Sequence, residues 1–403
     1  MTASTKKKVA EAAEGEEAEP EATEVGPIGN VADLIADQRV FEWAGIGFGE
    51  METFRIMRAL KVLAKESGAG QIRFFGKING TERDYYVAEG TLEAGEGEGE
   101  GKPADQEARG AGVNKFVYWV TDSVLEKWTK LPDISPADIR AARQIKVLLT
   151  GDLERPIFTN PFYFGKEMQY LRAQISRIVQ ATTLVPKGLH KTVEDNEREI
   201  EDFVPEDPAQ APQITVHTLS KPENWVHHTP NILLNGRVSH ADPENLPEDA
   251  DPEVVKKQIE ARDPYEKRLK PIALDRSVPV GSSNKGSQQA AWVVRLFGDS
   301  TDYFNPIKPT QRVNNGVVIV RSLQWPGAFT LYSGNRTLSI YVGNGHKYEG
   351  STGYFPLFPP KIMNDPAEFV EQPEPTPLTL EAPKPVAEAE KPAEENAEEA
   401  PAE

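Results

Sequence analysis

Apolar positions recur at helical spacing in the first half of the chain and at strand spacing near its end. Residues 31–41 predict a short helix, broken by Gly45, Gly47 and Gly49. A second helix opens at Glu50 and Glu52 and carries Lys61 and Lys65 towards its end, as the helix macrodipole favours. Phe54, Met57, Leu60 and Leu63 mark its apolar face and Gly68 its stop. Residues 72–78 and 85–92 are rich in aromatic and β-branched side chains and read as a hairpin. Asn79-Gly80 between them favours a type I′ turn, because both residues tolerate positive φ. A further strand is expected at 116–120. Ser135-Pro136-Ala137-Asp138 has the chemistry of a helix start: a capping hydroxyl, a proline in the first turn and an acid at the positive end. Another helix is predicted over 167–179, with Met168, Leu171, Ile175 and Ile178 as its apolar stripe and Arg172 and Arg177 off it. Strands follow at 291–297, 316–322, 328–333 and 337–342, with a short turn at Ser333-Gly334-Asn335-Arg336.

The fold class is therefore α+β: a helical N-terminal part, then a β-rich core with long acidic loops. The loops are expected near 93–112, 194–212 and 242–270, the last with one helix near 254–262. Glu96, Glu98 and Glu100 alternate in the first loop but lack the ligand set of a calcium loop, so solvated excursions are expected.

Charge divides the chain. It has 403 residues and a formal net charge of −18. Residues 1–24 contribute −4 and residues 364–403 contribute −10. The Ala/Glu-rich segment 1–28 and the Pro/Glu-rich segment 363–403 read as a disordered leader and tail, leaving 29–362 as the folded domain. Lys6, Lys7 and Lys8 sit beside an acidic run, so no nucleic-acid partner is expected. There is no cysteine, which excludes disulfide scaffolds and thiol nucleophiles. No apolar leader and no run of about 20 apolar residues is present, so an intracellular chain without a membrane partner is expected.

Candidate chemistry is sparse. Gly45, Gly47 and Gly49 follow no buried strand and lack the third-glycine spacing of a nucleotide cradle, so a chain bend is expected there. The six histidines, His190, His217, His227, His228, His240 and His346, show no ligand spacing, and roles at turns or in hydrogen bonds are expected of them. Gly281-Ser282-Ser283-Asn284-Lys285-Gly286 lacks the spacing of a nucleophile elbow. No catalytic, cofactor-binding or metal-ligating residue is singled out, and no cofactor is expected. Trp225, Trp325, Tyr341 and Tyr348 lie beside turns, as wedges against a sheet or as interface anchors.

Ordered blocks of glycine and aromatic residues carry a resemblance. They include Gly45-Ile46-Gly47-Phe48-Gly49-Glu50, Phe74-Phe75-Gly76-Lys77-Ile78 and Asn114-Lys115-Phe116-Val117-Tyr118. Ala142-Arg143-Gln144-Ile145-Lys146 and Tyr170-Leu171-Arg172-Ala173-Gln174-Ile175 are the most specific. Asn224-Trp225-Val226-His227-His228, Trp325-Pro326-Gly327-Ala328 and Gly345-His346-Lys347-Tyr348 follow. Across roughly 29–360 the chain resembles the radial spoke head protein 4/6 family. Phe75 stands where that family usually has a tryptophan. The resemblance implies a non-catalytic structural subunit of the radial spoke head in the ciliary or flagellar axoneme, part of the cytoskeleton. It further implies a homodimer or a heterodimer with a paralogue, contact with other spoke head subunits and with central apparatus projections, and mechanical signalling to dynein arms. The competing reading is a small-ligand enzyme acting on a carbohydrate or nucleotide. A pocket with converging carboxylates would favour the enzyme; exposed apolar patches would favour the assembly subunit.

Overall fold

The computed structural model describes residues 30–92, 105–194, 196–205, 214–240, 252–276, 278–279, 288–297, 302–304, 312–314 and 316–348. The segments 1–28 and 363–403 lie outside them, as do 93–104, 206–213 and 241–251 of the acidic loops.

The chain opens with a short strand, β1 (Asn30–Val31), and then helix α1 (Leu34–Trp43). The helix begins three residues later than the apolar pattern suggests. Asp33 is the reason: its Oδ1 accepts from the N–H groups of Ile35 and Ala36 at 3.1 and 3.2 Å and caps the first turn. Helix α2 (Glu50–Ser67) ends at Gly68, whose φ of 63° makes the left-handed cap expected there. Its buried face is Thr53, Ile56, Met57, Ala59, Leu60, Leu63 and Ala64. Phe54 is not on it and is 58% exposed. Steps of three at about 100° per residue lag by about 60° each, so positions 54 and 63 end on opposite sides.

Strands β2 (Gln71–Ile78) and β3 (Tyr85–Thr91) pair antiparallel, but not through a type I′ turn. Ile78 pairs with Tyr85, leaving six residues between them, and neither Asn79 nor Gly80 takes positive φ. Distant backbone holds this loop instead. Asn79 N–H donates to Gly343 O, Thr81 N–H to Leu149 O, and Glu82 N–H to Thr150 O, at 2.8–3.0 Å. A type I′ geometry occurs at a different glycine–asparagine pair: Gly334 and Asn335, at φ 56° and 62°, close a two-residue turn between paired Ser333 and Arg336.

Strands β4 (Val117–Thr121) and β5 (Thr129–Lys130) extend this sheet. Helix α3 (Pro136–Gln144) starts with the expected chemistry, as a capping box between Ser135 and Asp138. Helix α4 (Glu167–Thr182) runs a turn beyond the predicted end and is buried on nearly every side. Arg172, expected off the apolar stripe, is 1% exposed. Its guanidinium lies over the Tyr118 ring and donates to the carbonyls of Val113 (3.1 Å) and Phe116 (3.4 Å). Those carbonyls face no strand partner, and the arginine supplies the donors that burial demands.

Residues 105–112 are only partly in solvent: Ala108, Gly110 and Ala111 are exposed, but one acidic side chain among them turns inward. Glu107 is 5% exposed and accepts from Val113 N–H at 2.9 Å, Val238 N–H at 3.1 Å and Ser239 Oγ at 3.1 Å. Arg109 pairs with Asp133 at 3.1 Å. The glycine-rich run hides this function, because composition reports average solvation and not the one carboxylate that turns inward.

Strand β6 (Leu184–Pro186) pairs with β9 (Trp225–His227), and β7 (His190–Thr192) with β8 (Ile200–Asp202). Helix α5 (Pro252–Arg262) matches the helix expected in the third acidic segment. Two short antiparallel pairs follow, β10 (Val278–Pro279) with β11 (Gln288–Gln289), and β13 (Asp302–Phe304) with β14 (Arg312–Asn314). Strands β12 (Trp292–Phe297), β15 (Val317–Ser322), β16 (Ala328–Ser333) and β17 (Arg336–Gly343) form a meander within one residue or so of the predicted bounds.

The meander and the N-terminal hairpin are one sheet, in the order β12-β15-β16-β17-β2-β3-β4-β5. The join is parallel: Tyr341, Val342 and Gly343 pair with Gly76, Lys77 and Ile78, while β1 pairs with Gln71 and Ile72 further along β2. Alternation sends side chains to two cores. Tyr86, Ala88, Val117 and Trp119 pack with α1 and α2; Tyr85, Val87, Tyr118 and Val120 pack with α3 and α4. A bulge between Phe74 and Gly76 breaks that alternation. Ile72 and Phe74, the latter against Phe48, face one core; beyond the bulge Ile78, which even spacing would put with them, joins Phe75, stacked on Tyr341, in the other. Helices thus cover both faces of the sheet, which a reading of helices first and strands later does not contain.

Candidate interaction surfaces

The glycine cluster forms the bend between α1 and α2. Gly45 and Gly47 take φ of 68° and 129°. The N–H groups of Gly45 and Ile46 donate to Glu42 O and Phe41 O and close the end of α1. Glu50 and Glu52 then occupy the start of α2. Used donors and two carboxylates make this a poor phosphate cradle.

The histidines separate. His190 Nδ1 meets Asp202 at 2.9 Å, and His227 Nε2 meets Asp275 Oδ2 at 2.8 Å. His228 lies beside the His190 ring, and burial, then His190, Lys115 and Arg268, push its pKa down to about 4. His346 is likewise pushed down to about 4, by burial and then by Arg177 and Lys146. His240 Nε2 meets Asp263 O at 2.9 Å. His217 is exposed. The serine-rich segment 281–287 lies outside the described residues.

Trp225, Trp325 and Tyr341 are buried wedges. Trp225 Nε1 donates to Leu219 O at 2.8 Å, and Tyr341 OH accepts from Gly345 N–H at 2.9 Å. Gly345 takes φ 77°, in the left-handed region that glycine tolerates. The exposed aromatics are different residues. The segment before α4 is pinned by Glu167 N–H to Arg155 O (2.8 Å), Met168 N–H to Leu153 O (3.1 Å) and a bridge between Pro156 and Lys166. Tyr163 points inward against Tyr170, and Ile157 is buried with it. Between these anchors Phe158 and Phe164 stand 80% and 93% exposed, and Phe162 packs edge-on to Phe164 at 4.7 Å. Trp43, Met51 and Phe54 expose a second set of apolar side chains where α1 meets α2. Leaving such side chains in water forgoes about 1.5–3 kcal/mol each relative to burial. Strict alternation out, in, out over Phe162-Tyr163-Phe164 is the sequence signal that marks the first set.

A glutamate anchors that segment from below. Glu167 is 2% exposed. Its Oε1 accepts from Tyr85 OH (2.7 Å), Thr150 N–H (2.7 Å) and Gly151 N–H (3.0 Å), and its Oε2 from Thr150 Oγ1 (2.7 Å).

A cleft of about 380 Å³ is lined by parts of α3, α4, β9, residues 266–270, Asp275, Arg276, Trp292, Trp325 and Lys347. Cations outnumber carboxylates on its walls; Glu266 and Asp275 are the acids. Burial pushes Asp275 up, but hydrogen bonds from His227 and Trp292 and the charge of Lys270 outweigh it and hold the carboxyl below its ordinary value. It is therefore a fixed anion, not a poised acid; Glu266, the other acid of the cleft, meets the same Lys270 Nζ at 3.3 Å.

Known proteins resemble the chain over most of its length. The family model described as radial spokehead-like protein matches residues 1–109 and 100–381. The chain is 30% identical over 400 residues to radial spoke head protein 6 homolog A of Mus musculus, covering 87% of this chain and 54% of that one. It is 29% identical over 363 residues to radial spoke head protein 4 homolog A of Homo sapiens, covering 81% and 48%. With flagellar radial spoke protein 4 of Chlamydomonas reinhardtii it shares 30% over 353 residues, covering 83% and 70%. The chain thus spans about half the length of its mammalian relatives. The ordered glycine and aromatic blocks, the two-faced sheet they build and a match over most of the sequence lead to one assignment: the chain belongs to the radial spokehead-like protein family.

Proposed function

We propose that this chain is a structural subunit of the radial spoke head in the axoneme of cilia and flagella, acting through shape and contact. It associates there with other spoke head subunits, as a homodimer or with a paralogue. It meets projections of the central apparatus and relays mechanical contact towards the dynein arms. Family membership and the names of the relatives support the setting. The observation that carries the contact role is the display of Phe158, Phe162 and Phe164 on a segment locked from beneath by Tyr163, Ile157 and Glu167. An apolar surface held rigid in water is what an assembly interface requires before its partner arrives.

The test is to express a tagged chain in cells of its source organism lacking the endogenous copy and to locate it by electron tomography. Density is expected at the spoke head, with beating restored. The triple variant Phe158→Ser, Phe162→Ser, Phe164→Ser is expected to fold with an unchanged thermal midpoint and to leave spoke heads incomplete. A tagged chain found outside the axoneme refutes the setting, and a triple variant that assembles fully refutes the role of the aromatic surface.

A further inference from the structure

The cleft beside Asp275 has an unbalanced charge. Arg143, Arg177, Lys267, Arg268, Arg276 and Lys347 line it along with Lys270, against only Glu266 and Asp275. This cationic excess sits in a chain of net charge −18. Some of the cations are already engaged. Arg143 donates to the carbonyls of Ile232 and Leu233 at 2.9 Å, Arg177 to Ala142 O at 2.8 Å, and Lys270 meets Asp275 at 3.3 Å. Arg268 is not. Its Nε and Nη1 are shut away from solvent and have no hydrogen-bond partner. Burial alone, with no compensating acid, pushes its pKa down. The residue is half-buried, and two enclosed donors without an acceptor are a standing cost that a protein seldom retains without use.

We propose that this cleft binds a glutamate-rich peptide segment of a partner protein, with exposed Lys267 and Arg276 and half-buried Arg268 as its anion contacts. The layout favours a peptide over a compact phosphate. The cations come from α3, α4, the 266–270 segment, Arg276 and Lys347, so positive charge is spread along the walls. A phosphate site would instead gather backbone N–H groups at one point. Trp292, Trp325 and Ile232 provide apolar wall between the charges, which suits the methylene groups of glutamate side chains. The volume of about 380 Å³ admits a few such side chains.

Trp292 and Trp325 in the walls make the test direct. The full chain is titrated with a synthetic oligoglutamate peptide while tryptophan fluorescence is followed, with inorganic phosphate as the parallel probe. Saturable quenching by the peptide is expected, weakening at least tenfold between about 50 and 200 mM salt as screening shortens the reach of the charges. Arg268→Met keeps the apolar stem and removes the unpartnered donors. It is expected to unfold at no lower temperature than the parent chain and to bind at least tenfold more weakly. The exposed pair Lys267→Glu, Arg276→Glu leaves the core untouched and is expected to abolish binding. Absence of peptide binding at low salt overturns the proposal, as does equal binding by both variants. Phosphate binding as tight as peptide binding and lost in the same variants also overturns it, by making this a small-anion site.

Discussion

Replacing Glu167 tests whether the aromatic segment is held by hydrogen bonds or by packing alone. Glu167→Ala deletes the acceptor of four hydrogen bonds, from Tyr85 OH, Thr150 N–H, Thr150 Oγ1 and Gly151 N–H. Tyr85 and Thr150 are buried; Gly151 is half-buried and gains water. Each donor left unpaired away from water costs about 1–3 kcal/mol. Removing the buried carboxylate returns some of that, because its charge was itself costly to desolvate. The net loss is expected at about 3–5 kcal/mol, a large part of the roughly 5–15 kcal/mol that holds a domain together. Glu167→Gln separates the causes. Its oxygen can keep the three bonds at Oε1, and its amide can donate to Thr150 Oγ1, whose hydroxyl rotates to accept. About 1 kcal/mol of loss is expected, from the weaker neutral bonds. The assay is urea unfolding of the full chain followed by circular dichroism and tryptophan fluorescence. Equal losses in the Ala and Gln variants, or a loss below about 1 kcal/mol in Ala, refute the hydrogen-bond reasoning.

Three further outcomes are expected. Gly76→Ala places a Cβ 1.9 Å from Tyr341 O across the β2–β17 join, and expression of folded protein should fall sharply; a thermal midpoint within a few degrees of the parent contradicts that packing. Glu107→Ala strips the acceptor from Val113, Val238 and Ser239, with an expected cost of about 2–4 kcal/mol; chemical denaturation showing no change would restore the segment to a simple solvent loop. Stability should decline as pH falls from 6.5 towards 4, because His228 and His346 drop from 6.5 to about 4 on folding and the unfolded chain then binds more protons. The cost is on the order of 3 kcal/mol for His346 and less for half-buried His228; a double variant His228→Asn, His346→Asn with an undiminished acid slope in thermal midpoint refutes it.

What the sequence makes legible is local. The capping box of α3, the left-handed stop at Gly68 and the C-terminal meander follow from side chains within a few positions of one another. Long-range partners are what it conceals. Asn79-Gly80 has the composition of a tight turn, but bonds to Gly343, Leu149 and Thr150 dictate another path. Arg172 reads as a surface cation because its acceptors, at Val113 and Phe116, come from a distant segment. The candidate surfaces divide in the same way. The alternation of Phe162, Tyr163 and Phe164 is visible in the chain. The cationic cleft draws on residues from 143 to 347 and exists only after folding.

The parallel join between β2 and β17 sets a timetable for synthesis. Gly76, Lys77 and Ile78 find their partners only at Tyr341, Val342 and Gly343. At ribosomal rates of about 5–20 residues per second, the roughly 260 intervening residues take on the order of 10–50 seconds to appear. Throughout that interval the β2 edge presents unpaired N–H and C=O groups, a template for pairing with a neighbouring chain. Closing so long a connection is slow, and completion of the sheet awaits the last described strand. We therefore expect nascent chains arrested before β17 to depend on chaperones and to remain protease-sensitive at 71–91. Arrested chains already protected there would show that the hairpin and the N-terminal helices consolidate without their C-terminal neighbour.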